Sequence, residues 1–182
     1  MRWKDEPVRL ALRPFAALAA ARPGVSRPGG SDAPLVLIDR AARDAAWRHV
    51  AASGVERGGL LVGEPFARDD DPDAVAAVLV RAAVPSGDDT ANAISLRMEA
   101  SVWDAARAAL RDGERVVGWF HSHPGIGAFF SATDRRTQAA FFAQPYSAGW
   151  VIDPVRGEDA WFIGPEAQDV VKSGVFVIES SP

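Results

Sequence analysis

The sequence predicts an α+β domain in which a mixed sheet lies between layers of helices. Apolar runs typical of strands are interspersed with helical patterns, and the two do not alternate in the regular βαβ rhythm of a parallel sheet. The chain of 182 residues has the length of one domain, and its hydrophobic content of 48% is enough to build a core. No internal repeat is present.

Strands are predicted where short or alternating apolar runs end in turn residues. They cover residues 8–12, 35–38, 58–63, 74–84, 115–120, 148–152, 160–163 and 174–178. The adjacent glycines Gly58 and Gly59 allow close approach of neighbouring backbone. Clusters of Pro, Gly, Ser and acidic residues predict a linker over residues 21–34 and loops over 66–73 and 85–92.

Helices are predicted over residues 40–52, 100–111 and 134–143, where apolar residues recur at helical spacing. Asp39 stands at the N-cap position of the first helix, and Gly54 closes it. The pair Asp112-Gly113 stops the second helix.

Composition excludes several kinds of chemistry. The chain has no cysteine, so disulfides, a thiol nucleophile and thiolate metal sites are ruled out. A transition-metal site must use carboxylates and the three histidines, His49, His121 and His123. The net charge of −4 argues against general attraction to phosphate, so no nucleic-acid partner is expected.

The N-terminal residues do not resemble a targeting signal. Acidic residues stand where a signal peptide would be basic, and the apolar stretch of residues 15–21 is short. No run reaches the ~18 apolar residues of a membrane helix. We therefore expect a cytoplasmic protein without a membrane partner.

The segment between His121 and Asp134 is the most informative part of the chain. In an extended strand, His121 and His123 project to the same face and can bind one metal ion. Asp134 follows eleven residues after His123, beyond a glycine-rich turn, and can fold back as a third ligand. Two histidines and one carboxylate, with one open position, are typical of a catalytic zinc site.

Each half of this pattern also has a simpler explanation. Two histidines separated by one residue can occur by chance. Ser131 and Asp134 have the spacing of a capping box at the start of a helix. The two interpretations are compatible, because a cap fixes the helix end that presents Asp134.

Together, these four residues match the JAMM motif, His-x-His-x7-Ser-x-x-Asp, at every spacing, and the chain resembles the JAB/MPN zinc metalloprotease family. The flanking sequences are also similar: Gly118-Trp119-Phe120, Thr137-Gln138 and Val151-Ile152-Asp153-Pro154. The resemblance covers about residues 35–165, which we predict to be the catalytic domain. It implies the mixed curved sheet of the cytidine deaminase-like fold. Residues 1–34 are then an N-terminal extension of unknown role, and 166–182 a C-terminal strand or tail.

The resemblance also implies a role for each site residue. His121, His123 and Asp134 would bind one zinc ion. Glu56, which precedes the Gly-Gly strand, matches the family's upstream glutamate and would move a proton from the attacking water to the leaving amine. Ser131 would donate a hydrogen bond to the developing oxyanion.

Other polar and aromatic residues receive structural interpretations. Trp119 is expected in the core, and His49 on the helix surface. Ser122 should point away from the metal; a hydrogen bond to the site is conceivable, but packing is the favoured interpretation. The remaining charged residues near the motif are expected to be solvated or to contact substrate: Glu64, Arg135 and Arg136.

The resemblance implies a bacterial deubiquitinase-like hydrolase. Such an enzyme would cleave after the C-terminal glycine of a ubiquitin-like protein, in a pathway with activating and conjugating enzymes, and antiphage defence is the expected setting. The Gly-Gly tail of the substrate would lie along a strand edge, flanked by residues 64–96. Two alternatives stay open: a peptidase acting on sulfur-carrier proteins, and a non-catalytic MPN scaffold. The sequence leaves the oligomeric state and the cognate ubiquitin-like protein undetermined.

Overall fold

Nine strands in the described part of the chain form one mixed sheet. The computed structural model describes residues 11–27, 33–87 and 100–179. The strands are β1 Arg13–Pro14, β2 Leu35–Asp39, β3 Gly58–Ala67, β4 Val75–Pro85, β5 Arg115–Ser122, β6 Ala148–Asp153, β7 Glu158–Ile163, β8 Gln168–Val170 and β9 Val175–Ile178. Their order is β8-β7-β6-β5-β3-β4-β2-β9, and β1 pairs with the end of β3.

Helices cover both faces of this sheet, as the sequence predicts for an α+β fold. They are α1 Phe15–Ala21, α2 Arg40–Ala51, α3 Ala100–Ala109 and α4 Ala132–Phe141, with a 3-10 turn at Lys172–Gly174. Helix α2 packs on one face, in the cluster that contains the stacked rings of Trp150 and Trp161. Side chains of α1 and α3 pack on clusters of the opposite face, and α4 reaches that face through Gln138. None of the helices in the described ranges has the length and apolar character needed to cross a membrane.

Close backbone packing at β3 explains the paired glycines. A Cβ atom on Gly58 would collide with the carbonyl oxygen of Phe120, and one on Gly59 with that of Val84. Strand β3 can therefore lie between β5 and β4 with Gly58 opposite His121. This register brings Glu56, two residues before Gly58, to the end of β5 that carries the histidines.

Some local predictions are wrong or incomplete. Helix α1 and strand β8 were not predicted, because each is too short for a periodic signal and α1 depends on the burial of Phe15 and Leu18. Asp39 precedes α2 but makes no side-chain capping bond, and its carboxylate lies 3.5 Å from Arg22. Several predicted segments lie partly outside the described residues: the strand 8–12, the linker 21–34 and the loop 85–92. The same holds for residues 88–96 of the expected substrate flank.

Candidate metal centre

The two motif histidines lie at the end of β5 and are almost fully buried. Their exposed fractions are 2% for His121 and 1% for His123. The Nε2 atoms of the two rings lie 3.2 Å apart. Neither Nδ1 atom has a hydrogen-bond partner among the described residues. The rings are held by aromatic packing instead, with Trp119 stacked 4.6 Å from His121 and Phe129 5.0 Å from His123 between ring centroids.

The capping box at the start of α4 holds Asp134 in place. The Ser131 hydroxyl accepts a hydrogen bond from the Asp134 backbone N–H at 3.2 Å. The Asp134 carboxylate accepts one from the Ser131 backbone N–H at 2.7 Å. The predicted capping box is therefore confirmed. Burial by itself would raise the pKa of Asp134, but the hydrogen bonds from His121 and Ser131 outweigh it and lower the pKa to about 2.

The three groups converge with the spacing of a tetrahedral metal site. Asp134 Oδ1 lies 3.3 Å from His121 Nε2, and Asp134 Oδ2 lies 3.6 Å from His123 Nε2. Metal–ligand bonds of about 2.0–2.1 Å in a tetrahedron separate the ligand atoms by about 3.3 Å. The observed distances of 3.2, 3.3 and 3.6 Å, which involve both carboxylate oxygens of Asp134, are close to this spacing and are compatible with zinc. Burial, followed by the neighbouring His121, lowers the pKa of His123, which favours the neutral imidazole that binds metal.

Glu56 lies beside this cluster but outside it. Its Oε1 atom is 3.9 Å from His123 Nε2, and its side chain keeps 25% of its exposure. Among the described residues, the group whose donor atoms could hold a metal ion consists of His121, His123 and Asp134, without Glu56. Partial burial raises the pKa of the Glu56 carboxyl, which brings it closer to the range of a general base.

Trp119 does more than fill the core. Its indole N–H donates to Gln138 Oε1 at 2.6 Å while its ring face covers His121. The Gln138 amide N–H groups in turn donate to the carbonyls of Ser147 and Gly164 at 2.9 and 3.0 Å. This buried network fixes the orientation of His121. Trp119 is buried in the core, as predicted, whereas the sequence indicated Gln138 only as a flank of the motif.

The expectation for Ser122 is incomplete, and those for His49 and Glu64 are wrong. The Ser122 side chain is buried, as the packing interpretation predicts, and its hydroxyl also accepts a hydrogen bond from the Arg57 backbone N–H at 3.0 Å. His49 is half-buried, with its ring edge toward Phe120 at a centroid distance of 6.2 Å. Glu64 is not solvated, since its side chain is 15% exposed and pairs with Arg13.

The two arginines of α4 make local contacts. Arg135 packs over the Phe162 ring and donates to the carbonyl of Ala167 at 3.0 Å. Arg136 donates to the Thr133 hydroxyl at 3.0 Å. Both arginines are exposed, as predicted, and these contacts hold Arg135 against β7 and the turn before β8.

Asp153 anchors the turn that follows His123. The residue is fully buried, and its carboxylate accepts hydrogen bonds from the backbone N–H groups of Gly125, Gly127, Val155 and Arg156 at 2.7 to 3.1 Å. Burial alone would raise its pKa, but these N–H donors lower the pKa to about 2. The turn between the histidines and Ser131 thus rests on one ionised side chain.

We expect Asp153→Asn to lower the free energy of unfolding at neutral pH. Because the folded pKa of Asp153 is depressed, its contribution is complete above about pH 4, near the unfolded pKa, and is lost as the pH falls toward 2. The difference between wild type and variant should therefore shrink in that window. Urea unfolding at several pH values measures it, and the exposed Asp112→Asn serves as control. A difference that stays constant with pH would contradict the assignment.

We expect Ser131→Ala to destabilise the protein by about 1 kcal/mol through loss of the helix cap. Ser131→Thr keeps the hydroxyl acceptor and should retain most of that stability. Chemical denaturation of the metal-free proteins measures the effect without catalysis. Equal stability of wild type and Ser131→Ala would show that the cap contributes nothing.

Comparison with known proteins identifies the family. The family model described as prokaryotic homologs of the JAB domain matches residues 39–164. The chain belongs to this family. The match includes all five predicted site residues, from Glu56 to Asp134.

Relatives of this JAB-domain chain are longer proteins. It is 33% identical over 106 residues to the NAD(+) hydrolase TcpA of Theionarchaea archaeon (strain DG-70-1), a match covering 58% of this chain and 29% of TcpA. It is 50% identical over 48 residues to COP9 signalosome complex subunit 5 of Debaryomyces hansenii, covering 25% of this chain and 10% of the subunit. The chain therefore spans less than a third of these relatives.

A solved structure supports the fold. Protein DSY2949 from Desulfitobacterium hafniense superposes with a TM-score of 0.52 at 21% identity, over 80% of this chain and 94% of that protein. This likeness concerns the fold alone.

Proposed function

We propose that this JAB-domain chain is a zinc-dependent peptidase or isopeptidase. It would hydrolyse the bond that follows the C-terminal glycine of a ubiquitin-like protein. The observation that carries the proposal is the convergence of His121, His123 and Asp134 at tetrahedral distances, with Glu56 next to them. Family membership and the resemblance to JAMM peptidases support it.

The metal would be held by the Nε2 atoms of His121 and His123 and by the Asp134 carboxylate. A zinc ion bound there supplies a Lewis acid that polarises the substrate carbonyl and lowers the pKa of a bound water toward about 7. The buried and ionised Asp134 offsets part of the positive charge.

Glu56 would transfer the proton that hydrolysis requires. Its carboxylate accepts a proton from the attacking water as the oxygen forms a bond to the carbonyl carbon. It then donates that proton to the amine nitrogen as the C–N bond breaks, so the products are a carboxylic acid and an amine and Glu56 is regenerated. A carboxyl with a raised pKa suits both steps.

Ser131 would stabilise the oxyanion without giving up the helix cap. A hydroxyl has one donor and two acceptor positions. The cap uses an acceptor position, toward the Asp134 N–H. The O–H therefore stays available to donate to a substrate oxygen, the kind of contact that lowers the barrier of acyl transfer.

The substrate class rests on family likeness. The resemblance to JAMM peptidases supports a protein substrate of the ubiquitin-like kind. The proposed partners are activating and conjugating enzymes of the same pathway. The proposed location is the cytoplasm, and the proposed biological setting is antiphage defence. The name of TcpA includes NAD(+) hydrolysis, but the match covers only 29% of that protein. We therefore do not propose NAD(+) hydrolysis for this chain.

Cleavage assays with the zinc-loaded full chain test the proposal. The substrates are ubiquitin fused through its C-terminal glycine to a reporter, ubiquitin joined to a lysine side chain by an isopeptide bond, a sulfur-carrier conjugate and NAD(+). We expect cleavage of the first two and zinc at one ion per chain. Preferential cleavage of the sulfur-carrier conjugate would favour the sulfur-carrier peptidase. A chain that binds no metal and cleaves none of the substrates would favour the non-catalytic MPN scaffold.

A further inference from the structure

We infer that Ser122 is a positioning residue for Glu56. The inference rests on the proposed function, in which Glu56 is the base. Ser122 lies between His121 and His123 in the sequence, but alternation along the strand turns its side chain to the other face. The side chain is fully buried, and its hydroxyl faces the backbone of Arg57, the residue directly after Glu56.

Ser122 holds Arg57 at two points. The Arg57 backbone N–H donates to Ser122 Oγ at 3.0 Å, and the Ser122 backbone N–H donates to the Arg57 carbonyl at 2.8 Å. The regular pairing of β3 with β5 begins one residue later, with Gly58 opposite His121. The hydrogen bonds between β3 and β5 are thus continued one residue toward Glu56, with the Ser122 side-chain oxygen as an acceptor.

A second serine holds the next residue. The Gly58 carbonyl accepts hydrogen bonds from the backbone N–H of Ser86 at 2.9 Å and from its hydroxyl at 2.8 Å. The two residues that follow Glu56 are therefore fixed, and Glu56 is the first residue beyond them. Its carboxylate reaches the metal cluster, 3.9 Å from His123 Nε2, from this held backbone.

This arrangement explains why a small hydroxyl residue lies between the ligands. Alanine would keep the backbone contact but leave the Arg57 N–H without its acceptor. A larger side chain would not fit a position with no exposed surface. Because a base must be placed to within a fraction of an ångström, the geometry of this clamp bears on the rate of hydrolysis and not on metal binding.

The test compares Ser122→Ala with wild type in the zinc-loaded full chain, using the ubiquitin fusion as substrate. We expect kcat to fall about 10- to 100-fold, with KM and zinc affinity within about twofold of wild type. Ser86→Ala is the matched control, and its effect should be smaller because the Ser86 N–H still holds the Gly58 carbonyl. Ser122→Cys keeps the size with a weaker acceptor and should be intermediate.

Amide hydrogen exchange of the same variants tests the clamp without any substrate. The Arg57 amide should exchange faster in Ser122→Ala, while Leu60 within β3 stays protected. If wild type cleaves none of the substrates, the proposed function fails but the exchange result still decides whether the clamp exists. Unchanged Arg57 exchange, or a loss of zinc affinity that parallels the loss of kcat, would overturn the inference.

Discussion

Glu56→Gln is expected to abolish hydrolysis while the fold and zinc binding stay intact. Glutamine has nearly the same shape but cannot accept a proton, and Glu56 lies outside the group of three ligands. Loss of a positioned general base slows such reactions by about 100- to 10,000-fold. The measurements are the turnover of the ubiquitin fusion, zinc content and the thermal unfolding midpoint.

Glu64→Gln is the matched control, because Glu64 is on β3, the strand that follows Glu56, and pairs with Arg13. It removes a carboxylate from the part of β3 remote from the histidines, so near wild-type turnover is expected. Turnover near the wild-type rate in Glu56→Gln would refute the assignment of the base. Loss of zinc in that variant would place Glu56 among the ligands instead.

His123→Ala should lose the metal. Removing one of three protein ligands from a buried site leaves two, and the affinity should fall by more than the roughly 100-fold seen when only a supporting residue is changed. Turnover should disappear with the metal. Zinc content after dialysis and titration with zinc measure the effect.

His49→Ala provides the control, since His49 is the remaining histidine of the chain and packs against Phe120 away from the ligand group. It should lose some stability but keep one zinc ion per chain. Full zinc occupancy in His123→Ala would contradict the ligand set. If His49→Ala loses zinc while His123→Ala keeps it, the zinc site is not formed by His121, His123 and Asp134.

Local patterns in the sequence predicted much of the sheet and the helices of the central region. Strand alternation, glycine pairs and helix stop signals depend on neighbours within a few residues, so they can be interpreted without the fold. The helix over 40–52 and the strands around the histidines are confirmed at nearly the predicted bounds. The short α1 was missed because its stability comes from contacts of Phe15 and Leu18 with the sheet.

The motif, too, was visible in the sequence because its ligands lie within fourteen residues, on one strand and the helix that follows it. Family likeness suggested that Glu56 lies close to the histidines. The pairing of Gly58 with His121 is the reason that it does.

The absence of cysteine and the presence of three histidines already limited any zinc site in this chain to imidazole and carboxylate ligands. Which groups surround those ligands depends on contacts between residues far apart in the chain. Trp119 bonded to Gln138, Asp153 under the turn at Gly127, and Ser122 holding Arg57 are contacts of this kind. They form only when β3, β5, β6 and α4 come together, because a single strand or helix defines the direction of a side chain but not its partner.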